Sequence, residues 1–245
     1  MRILVLGGTA ESRALAAALG ERADCEVVVS LAGRTHAPAA SAGRTRVGGF
    51  GGSEGLARHL ETEAFDLLID ATHPFAQAVS AHAAQAAEAT GVRLIALRRP
   101  AWAPGTGDRW IHVPDVPAAA REAAALPGGG CVFVTTGHRD LAAYAADTGH
   151  GYLIRTIEPP APPLPPRHTL LLDRGPYTRE GEAALFARHD VRAVVAKNSG
   201  GEAAAAKLAA ARDARIPVVM IDRPAPPIGI ETVQSVTQAV GLITA

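Results

Sequence analysis

The sequence predicts two α/β domains, each built on a doubly wound parallel β-sheet. Short apolar runs alternate with stretches of helical periodicity along most of the 245 residues. Runs that are apolar on both faces are typical of parallel strands with helices packed on either side of the sheet. The pattern also starts twice, first at the N-terminus and again after Gly128-Gly129-Gly130.

Five strands are predicted in the first half. The first, Arg2–Leu6, runs into Gly7-Gly8-Thr9, and helical periodicity follows from about Ala10 to Leu19. The other four strands are Glu26–Ser30, Arg46–Val47, Leu67–Asp70 and Arg93–Leu97. Helical stretches separate most of them, as in βαβ units, whose successive strands are parallel.

Five more strands are predicted in the second half. The first, Cys131–Thr135, precedes a helix expected from about Asp140, and the others are Tyr152–Ile157, Thr169–Leu172, Ala193–Ala196 and Val218–Ile221. Two Rossmann-like domains with a cleft between them are therefore expected. Open sheets of this kind bind ligands at the carboxyl ends of their strands.

One surplus strand, Trp110–Val113, lies between these two sets. It precedes a helix expected over Pro114–Leu126, with Pro117 in the first turn. We expect this strand to extend a sheet edge, and its position would allow it to join the sheet of the other domain. The predicted domains cover residues 1–113 and 114–245.

An internal repeat supports the two-domain organisation. When the sequence is shifted by 124 positions, Leu67–Pro100 lies over Val191–Pro224 without a gap. The strand ends and a shared Arg-Pro carry this alignment, since Ala-rich helices align easily by chance. The repeat places His73 and Lys197 at equivalent points, just beyond the carboxyl ends of matching strands.

Composition and charge exclude several classes of function. The 24 basic and 24 acidic residues balance, so there is no basic excess of the kind that nucleic-acid binding requires. No apolar run approaches a membrane span of about 18 residues, and a strand begins at once, which leaves no room for a signal peptide. We expect a cytoplasmic protein, a monomer or small homo-oligomer.

Cys25 and Cys131 are isolated and predict no metal site.

The first predicted turn is a candidate nucleotide site. Gly7, Gly8 and Thr9 precede a helix that contains Arg13, although Thr9 stands where a full dinucleotide fingerprint has its second glycine. Glycine lets the backbone approach a pyrophosphate, the helix N-terminus attracts it, and the Thr9 hydroxyl could add a donor. Glu11 opposes a nearby pyrophosphate unless it points away or meets Arg13. The alternative is an ordinary tight turn.

The end of the second predicted strand favours NADPH over NADH. NAD sites place an acidic residue there, whereas this chain has neutral donors and a cation that suit a 2′-phosphate: Ser30, Gly33, Arg34 and Thr35. Arg34 could instead be a solvated loop cation. Gly49 lies in the glycine-rich segment Gly48-Gly49-Phe50-Gly51-Gly52. This segment could lie along a flat ligand, and the alternative is a merely flexible loop.

Thr72 and His73 end the fourth strand, and Pro74 suits the first turn of a helix. This turn lies near the nicotinamide in Rossmann domains, so both residues are candidate cofactor ligands. His73 could position a carboxylate or supply a proton. The alternative is that Thr72 or His73 only caps the helix.

The second half offers an anion site that we assign to the substrate, because it lacks another convincing dinucleotide turn. The candidate residues follow strand ends or open a helix: Thr136, Gly137, His138, Arg139, Tyr177, Lys197, Asn198, Ser199, Gly200 and Gly201. Lys197 is expected to be a fixed cation, helped by backbone amides at a helix start. For the Tyr177 turn, a capped helix start is the alternative.

Six segments together resemble one family, in order along nearly the whole chain. They are Gly7-Gly8-Thr9-x-Glu11, Asp70-Ala71-Thr72-His73-Pro74-Phe75-Ala76, Arg99-Pro100-x-Trp102, Gly175-Pro176-Tyr177, Lys197-Asn198-Ser199-Gly200-Gly201 and Arg223-Pro224. They resemble the precorrin-6A reductase family. The resemblance implies a cobalamin (vitamin B12) biosynthesis enzyme that uses NADPH to reduce a double bond of the precorrin-6A macrocycle, giving precorrin-6B.

The interpretation of the residues themselves agrees with this resemblance. A 2′-phosphate site suits NADPH, and helix N-termini with Lys and Arg suit a tetrapyrrole with several carboxylates. If a ring nitrogen is already protonated, no essential general acid is needed. Two alternatives stay open: an NADP-dependent reductase of a smaller carbonyl or imine, although a Tyr-x-x-x-Lys pair is missing, and a non-catalytic nucleotide sensor.

Overall fold

The computed structural model describes residues 1–33, 43–127 and 129–244. By its internal contacts the chain divides into two compact units. Unit 1 comprises Met1–Pro100 together with Pro224–Ala245, and unit 2 comprises Ala101–Arg223. Among the described helices, none combines the length and the apolar character that a membrane crossing requires.

Unit 1 is a six-stranded parallel sheet with helices between its strands. The strands are β1 (Arg2–Leu6), β2 (Glu26–Leu31), β3 (Arg44–Val47), β4 (Leu67–Asp70), β5 (Arg93–Leu97) and β12 (Glu231–Val233). The helices are α1 (Ala10–Gly20), α2 (Ser53–Thr62), α3 (Gln77–Thr90) and α7 (Val236–Thr244). The strand order is β12-β5-β4-β1-β2-β3, and every pair is parallel.

Unit 2 repeats this architecture. Its strands are β6 (Trp110–Val113), β7 (Cys131–Val134), β8 (Gly151–Thr156), β9 (His168–Leu172), β10 (Val191–Lys197) and β11 (Val218–Ile221). The order β6-β11-β10-β7-β8-β9 is again parallel throughout. Its α-helices are α4 (Val116–Ala125), α5 (Arg179–Arg188) and α6 (Ala206–Asp213), and 3₁₀ turns cover Leu141–Tyr144 and Glu202–Ala204.

Alternating side chains of the central strands are buried on opposite faces of the unit 1 sheet. Ile3 and Val5 pack in one apolar cluster with α1, whereas Leu4 and Leu6 pack in another with α2. Both faces of β1 are therefore covered, which explains why its sequence is apolar at almost every position. The predicted fold class, two doubly wound parallel sheets, is confirmed.

The border between the units differs from the predicted division into 1–113 and 114–245. Trp110–Val113 pairs with β11, so it belongs to unit 2, where it extends the sheet edge as predicted. Glu231–Val233 pairs with β5 and brings the C-terminal segment back to unit 1, where α7 packs against α1. This last strand was not predicted, because three residues with two exposed side chains carry almost no periodic signal.

Candidate active site

The turn after β1 lies close to β2 and leaves open space beside Gly8. A Cβ at Gly7 would meet a Val29 methyl carbon at 3.0 Å, so a side chain at this position would crowd Val29 on β2. Gly8 has φ of +117°, a conformation that favours glycine, and no atom lies within 4 Å of the point that a Cβ would occupy there. The Gly8 backbone is therefore accessible to a ligand.

Thr9 and Ser12 form a reciprocal cap at the start of α1. The Thr9 hydroxyl accepts from the Ser12 amide at 3.0 Å, and Ser12 Oγ accepts from the Gly8 and Thr9 amides, each at 3.1 Å. Thr9 Oγ1 donates its proton to the Ala71 carbonyl at 2.9 Å. The Thr9 hydroxyl, which was expected to donate to a phosphate, thus donates to Ala71 instead. The candidate donors to a phosphate are the backbone amides of Ala10 and Glu11, the first residues of α1.

Glu11 is neutralised by a residue that the sequence did not indicate. Its carboxylate lies 2.6 Å from Arg99 Nη1, whereas the sequence suggested Arg13 as its partner. Arg13 is half-buried in the first turn of α1. A small pocket at the carboxyl ends of β1 and β4 is lined by Thr9, Glu11, Thr72, Pro74, Leu97 and Arg99. This is the point at which the strand order of the sheet reverses, where ligands bind in open α/β sheets.

Arg46 is a cation beside Ser30 that sequence reasoning missed. Its guanidinium lies 3.4 Å from the buried Ser30 hydroxyl and donates to the carbonyls of Gly48 at 2.6 Å and Gly49 at 2.9 Å. It also lies over the Phe50 ring, 3.9 Å from the centroid. Arg46 follows Ser30 by 16 positions, so only the pairing of β2 with β3 reveals the proximity.

The other candidate cofactor residues after β2 and β3 divide into two groups. Gly33 is exposed and has φ of +69°, and Gly49 is exposed. Arg34 and Thr35 lie outside the described residues, so their predicted role as 2′-phosphate ligands stays a prediction.

A buried ion pair fixes the turn after β4. Asp70 and Arg98 are paired, with 3% and 13% of their side chains exposed. Asp70 Oδ1 also accepts from the Thr72 hydroxyl at 2.6 Å and the Thr72 amide at 3.1 Å. Arg98 in turn donates to the Thr72 carbonyl at 3.3 Å and to Ser80 Oγ at 2.8 Å. This network holds the turn that carries His73.

The prediction that α3 begins near Pro74 was wrong. The helix begins at Gln77, and its N-cap Ala76 makes no side-chain cap. Thr72 is committed to Asp70, and the Phe75 amide donates to His73 Nδ1 at 3.2 Å, which closes a short turn before the helix. His73 is exposed. Since its Nδ1 accepts a hydrogen bond, the neutral ring carries its proton on Nε2.

The turn after β7 does not open a long helix, contrary to expectation. Asp140 has φ of +65°, and a four-residue 3₁₀ turn, Leu141–Tyr144, replaces the predicted helix. No helix dipole is therefore available to bind an anion at this described turn. Thr136 is 6% exposed, and its hydroxyl oxygen is buried with no partner among the described residues.

The rest of this turn is more accessible. Gly137 has φ of +94° with open space around it, His138 is half-buried and Arg139 is exposed. The buried Thr136 hydroxyl and these residues lie at the carboxyl end of β7, as the predicted substrate site requires.

Lys197 ends β10 with one fifth of its side chain exposed. Burial lowers the pKa of Lys197, Asp140 opposes this shift with its carboxylate 3.9 Å from Nζ, and Arg139 adds to it. The ammonium group is therefore largely withdrawn from water. Such a cation attracts a ligand carboxylate strongly.

The segment after Lys197 is held by Trp102. The Asn198 side-chain amide exchanges hydrogen bonds with the Trp102 backbone at 2.9 and 3.0 Å, and Trp102 Nε1 donates to the Gly201 carbonyl at 3.1 Å. Ser199 is buried, and its amide donates to the Lys197 carbonyl at 2.7 Å. Asn198 thus braces the loop, and its predicted contact with substrate stays a prediction.

The expected helix start at Ser199–Gly201 was wrong. Gly200 and Gly201 have φ of +64° and +84°, which a helix does not allow, and α6 begins at Ala206 after a 3₁₀ turn. The α-helix N-terminus that was expected beside Lys197 therefore does not lie there.

Tyr177 is half-buried after β9. Its hydroxyl donates to the Asp173 carbonyl at 3.1 Å, and the Arg155 guanidinium lies 3.6 Å from its ring centroid. A Cβ at Gly175 would meet the Tyr177 ring at 3.0 Å and the Ala203 carbonyl at 3.3 Å. The Tyr177 turn thus adjoins the segment that follows Gly201.

The described residues contain no group of three or more His, Cys, Asp or Glu side chains arranged to hold a metal ion. In unit 1 the structure brings together Thr9 and Thr72, and in unit 2 it brings together Lys197 and the turn after β7. Each constellation lies at the carboxyl edge of its sheet.

Comparison with known proteins identifies the family. The family model "Precorrin-6x reductase CbiJ/CobK" matches residues 2–244. A precorrin-6A reductase of Rhodococcus erythropolis is 45% identical over 99% of this chain and 97% of its own length. A cobalt-precorrin-6A reductase of Salmonella typhimurium is 30% identical over 91% and 88%.

A solved structure gives the same result. A CobK precorrin-6A reductase superposes with a TM-score of 0.91 at 44% identity, covering 100% of this chain and 96% of that one. The resemblance inferred from the sequence motifs is confirmed, and with it the enzyme class, an oxidoreductase of cobalamin biosynthesis. The chain belongs to the precorrin-6x reductase CbiJ/CobK family.

Proposed function

We propose that this reductase reduces precorrin-6A with NADPH, that unit 1 binds the cofactor and that unit 2 binds the macrocycle. When bound, NADPH supplies the hydride. The observation that carries the assignment is the contrast between the first turns of the two units. Gly7-Gly8 precedes an 11-residue helix in unit 1, whereas the matching turn of unit 2 precedes a four-residue 3₁₀ turn.

The residues of unit 1 fit a dinucleotide. The open backbone at Gly8 and the amides of Ala10 and Glu11 suit a pyrophosphate, and Arg99 neutralises the carboxylate that would repel it. At the far end, Arg46 and Ser30 suit a 2′-phosphate, and the described part of β2 contains no acid beyond Glu26, its first residue.

The residues of unit 2 fit a ligand with several carboxylates. Lys197 offers a largely buried cation, Thr136 a buried hydroxyl that has no partner within the described parts of the chain, and Tyr177 a ring suited to a flat macrocycle. His73 carries a proton on Nε2 that can bond a carboxylate or the cofactor carboxamide. Cytoplasmic location and a monomeric or small oligomeric state stay predictions.

The substrate form without cobalt is favoured by sequence identity. The Rhodococcus precorrin-6A reductase is 45% identical, whereas the Salmonella cobalt-precorrin-6A reductase is 30% identical. We therefore expect faster reduction of the metal-free macrocycle.

The test is to mix the purified protein with NADPH and either form of precorrin-6A. We expect the absorbance of the reduced cofactor to fall while the macrocycle spectrum shifts, faster with the metal-free form. Oxidation of NADPH by small carbonyl compounds but not by precorrin-6A would favour the alternative reductase. Binding of NADPH with no oxidation by any tetrapyrrole would favour a sensor and contradict the proposal.

Replacing Arg46 with alanine will weaken NADPH binding by roughly tenfold and NADH binding hardly at all, because a charge-assisted contact to the 2′-phosphate is lost. Fluorescence titration with both cofactors measures this. Arg34→Ala, tested in parallel, is expected to weaken NADPH binding by about 10- to 100-fold. Since Arg46 also bonds the Gly48 and Gly49 carbonyls, an equal loss for NADPH and NADH would mean that it only braces the loop.

Replacing His73 with alanine will slow turnover without abolishing it, because the hydride comes from the cofactor and the residue positions a ligand. The measurement is kcat at saturating NADPH and precorrin-6A, with the melting temperature as a control for folding. Normal binding of both ligands with no detectable turnover would instead make His73 an essential proton donor.

A further inference from the structure

A buried pair of charged residues in unit 2, Arg155 and Glu182, contacts Tyr177 through the Arg155 guanidinium. Arg155 on β8 and Glu182 on α5 are 7% and 2% exposed, and Arg155 Nη1 donates to Glu182 Oε1 at 2.5 Å. The Arg155 guanidinium also lies 4.8 Å from the Phe133 ring centroid and 3.6 Å from that of Tyr177. Arg155 is therefore held between two aromatic rings and one carboxylate.

Burial of these charges requires an explanation beyond stability. Placing an ion pair in the protein interior often contributes no more than apolar side chains of the same volume would. Glu182 Oε2 is buried and has no hydrogen-bond partner within the described parts of the chain, so the pair is incompletely satisfied. A buried ion pair of this kind is expected where the position that it gives to neighbouring side chains serves the function of the protein.

The cluster occupies a distinctive place in the sheet. β8 neighbours β7 in unit 2 as β2 neighbours β1 in unit 1, and Arg155 lies near the carboxyl end of β8. In unit 1 the corresponding place has Ser30 and is suited to the adenosine end of a dinucleotide. In unit 2 it is filled by Arg155, whose guanidinium contacts the ring of the half-buried Tyr177.

The same cluster adjoins the loop after Lys197. Lys207 is 5% exposed, and its Nζ donates to the Ala204 carbonyl at 2.6 Å and lies 5.0 Å from the Trp102 ring centroid. Burial, assisted by the charge of Arg155, lowers the pKa of Lys207 to about 8, and Glu182 opposes the shift. The charges of Arg155 and Glu182 thus both act on the buried ammonium group of Lys207.

We propose that Arg155, held by Glu182, is a positioning residue that fixes the Tyr177 ring against the bound macrocycle and acts on the substrate only through that ring. The planar guanidinium supports the ring face, and the Asp173 carbonyl anchors its hydroxyl. A ring fixed before binding costs less ordering entropy when the macrocycle contacts it. This inference rests on the proposed assignment of the macrocycle to unit 2.

The test is a double-mutant cycle on the KM for precorrin-6A at saturating NADPH. Arg155→Lys keeps the charge but loses the planar support, and we expect it to raise this KM by about fivefold. Tyr177→Leu is expected to raise it by about tenfold. The double variant should show no higher KM than Tyr177→Leu alone, because Arg155 acts through the ring. The KM for NADPH should stay unchanged in all three variants.

Several results would overturn this proposal. Additive effects on KM would mean that Arg155 acts independently of Tyr177, and an unchanged KM in Arg155→Lys would remove its role. Glu182→Gln, which preserves the shape of the side chain, should raise the KM for precorrin-6A in the same direction. If Arg155→Lys and Glu182→Gln both lose NADPH binding as well, the pair serves folding alone and the proposal is rejected.

Failure of the assigned substrate site gives a different result. If Tyr177→Leu leaves the KM for precorrin-6A unchanged while the protein turns over normally, the macrocycle does not contact Tyr177. If Tyr177→Leu raises that KM and Arg155→Lys does not, the substrate site stands and only the positioning role fails.

Discussion

Replacing Lys197 with alanine will raise the KM for precorrin-6A by about 10- to 100-fold and leave NADPH affinity nearly unchanged. A hydrogen bond to a charged group is worth roughly 1.5–3 kcal/mol, which corresponds to this range. Lys197 is four-fifths buried, so water screens its charge poorly. Steady-state kinetics with varied precorrin-6A measures the effect.

The pH dependence gives a second, independent readout of Lys197. Because its pKa is lowered by burial, the cation is present below that lowered pKa and is lost as pH rises through it. The substrate carboxylates are ionised throughout this range. The KM for precorrin-6A should therefore rise with increasing pH in the wild type, and this rise should be absent from Lys197→Ala.

Arg192→Ala is the matched control, since Arg192 lies at the opposite end of β10 and is exposed beside Asp190. It should leave both kinetic constants unchanged. If Lys197→Ala lowers the melting temperature but has the KM of the wild type, Lys197 only supports the fold.

Arg98→Met will lower the free energy of unfolding by roughly 3–5 kcal/mol. Removing one partner of a buried ion pair leaves the other charge without compensation. Here Asp70 is 3% exposed at the side chain, and Arg98 also holds Ser80 and the Thr72 carbonyl. Urea unfolding followed by far-UV circular dichroism gives the change.

The control is Arg58→Met, which removes an exposed pair with Glu54 on α2. Exposed pairs contribute about 0–1 kcal/mol, so this variant should unfold almost like the wild type. Combining Arg98→Met with Asp70→Asn also removes the buried carboxylate that has lost its partner. The double variant should therefore be more stable than Arg98→Met alone. A loss below about 1 kcal/mol in Arg98→Met would contradict the assigned role of the pair.

The strands of both sheets could be predicted because their apolar runs are short, dense and bounded by polar turns. Leu67–Asp70 and Val218–Ile221 were predicted with the bounds that the structure shows. Glu231–Val233 was missed because its two exposed residues give no apolar run, and its place beside β5 depends on a return of the chain across more than 130 positions.

The missed residues of the candidate site share one feature, a partner distant in sequence. Arg98 meets Asp70 across 28 positions, Arg99 meets Glu11 across 88, and Arg155 meets Glu182 across 27. Each residue alone has the appearance of a surface cation, and only the fold shows that it is buried or paired. The locations of Gly8 and Lys197 at strand ends were predicted correctly because the turn residues are visible in the sequence, whereas their roles stay predictions.

The predicted helix starts failed for a local reason. Pro74 and Ser199 both suggest a first turn, but the Asp70–Thr72 bonds in one case and the positive φ of Gly200 in the other delay the helix. The expected dipole contributions at these turns are lost, while His73 and Lys197 keep their places at the strand ends.

The division of roles between the two units is tested most directly by the position of NADP⁺ in crystals of the complex. We predict that its pyrophosphate lies within hydrogen-bonding distance of the Ala10 and Glu11 amides, and that its 2′-phosphate lies beside Arg46. A pyrophosphate bound at Thr136 and Gly137 instead would place the cofactor in unit 2 and contradict this division.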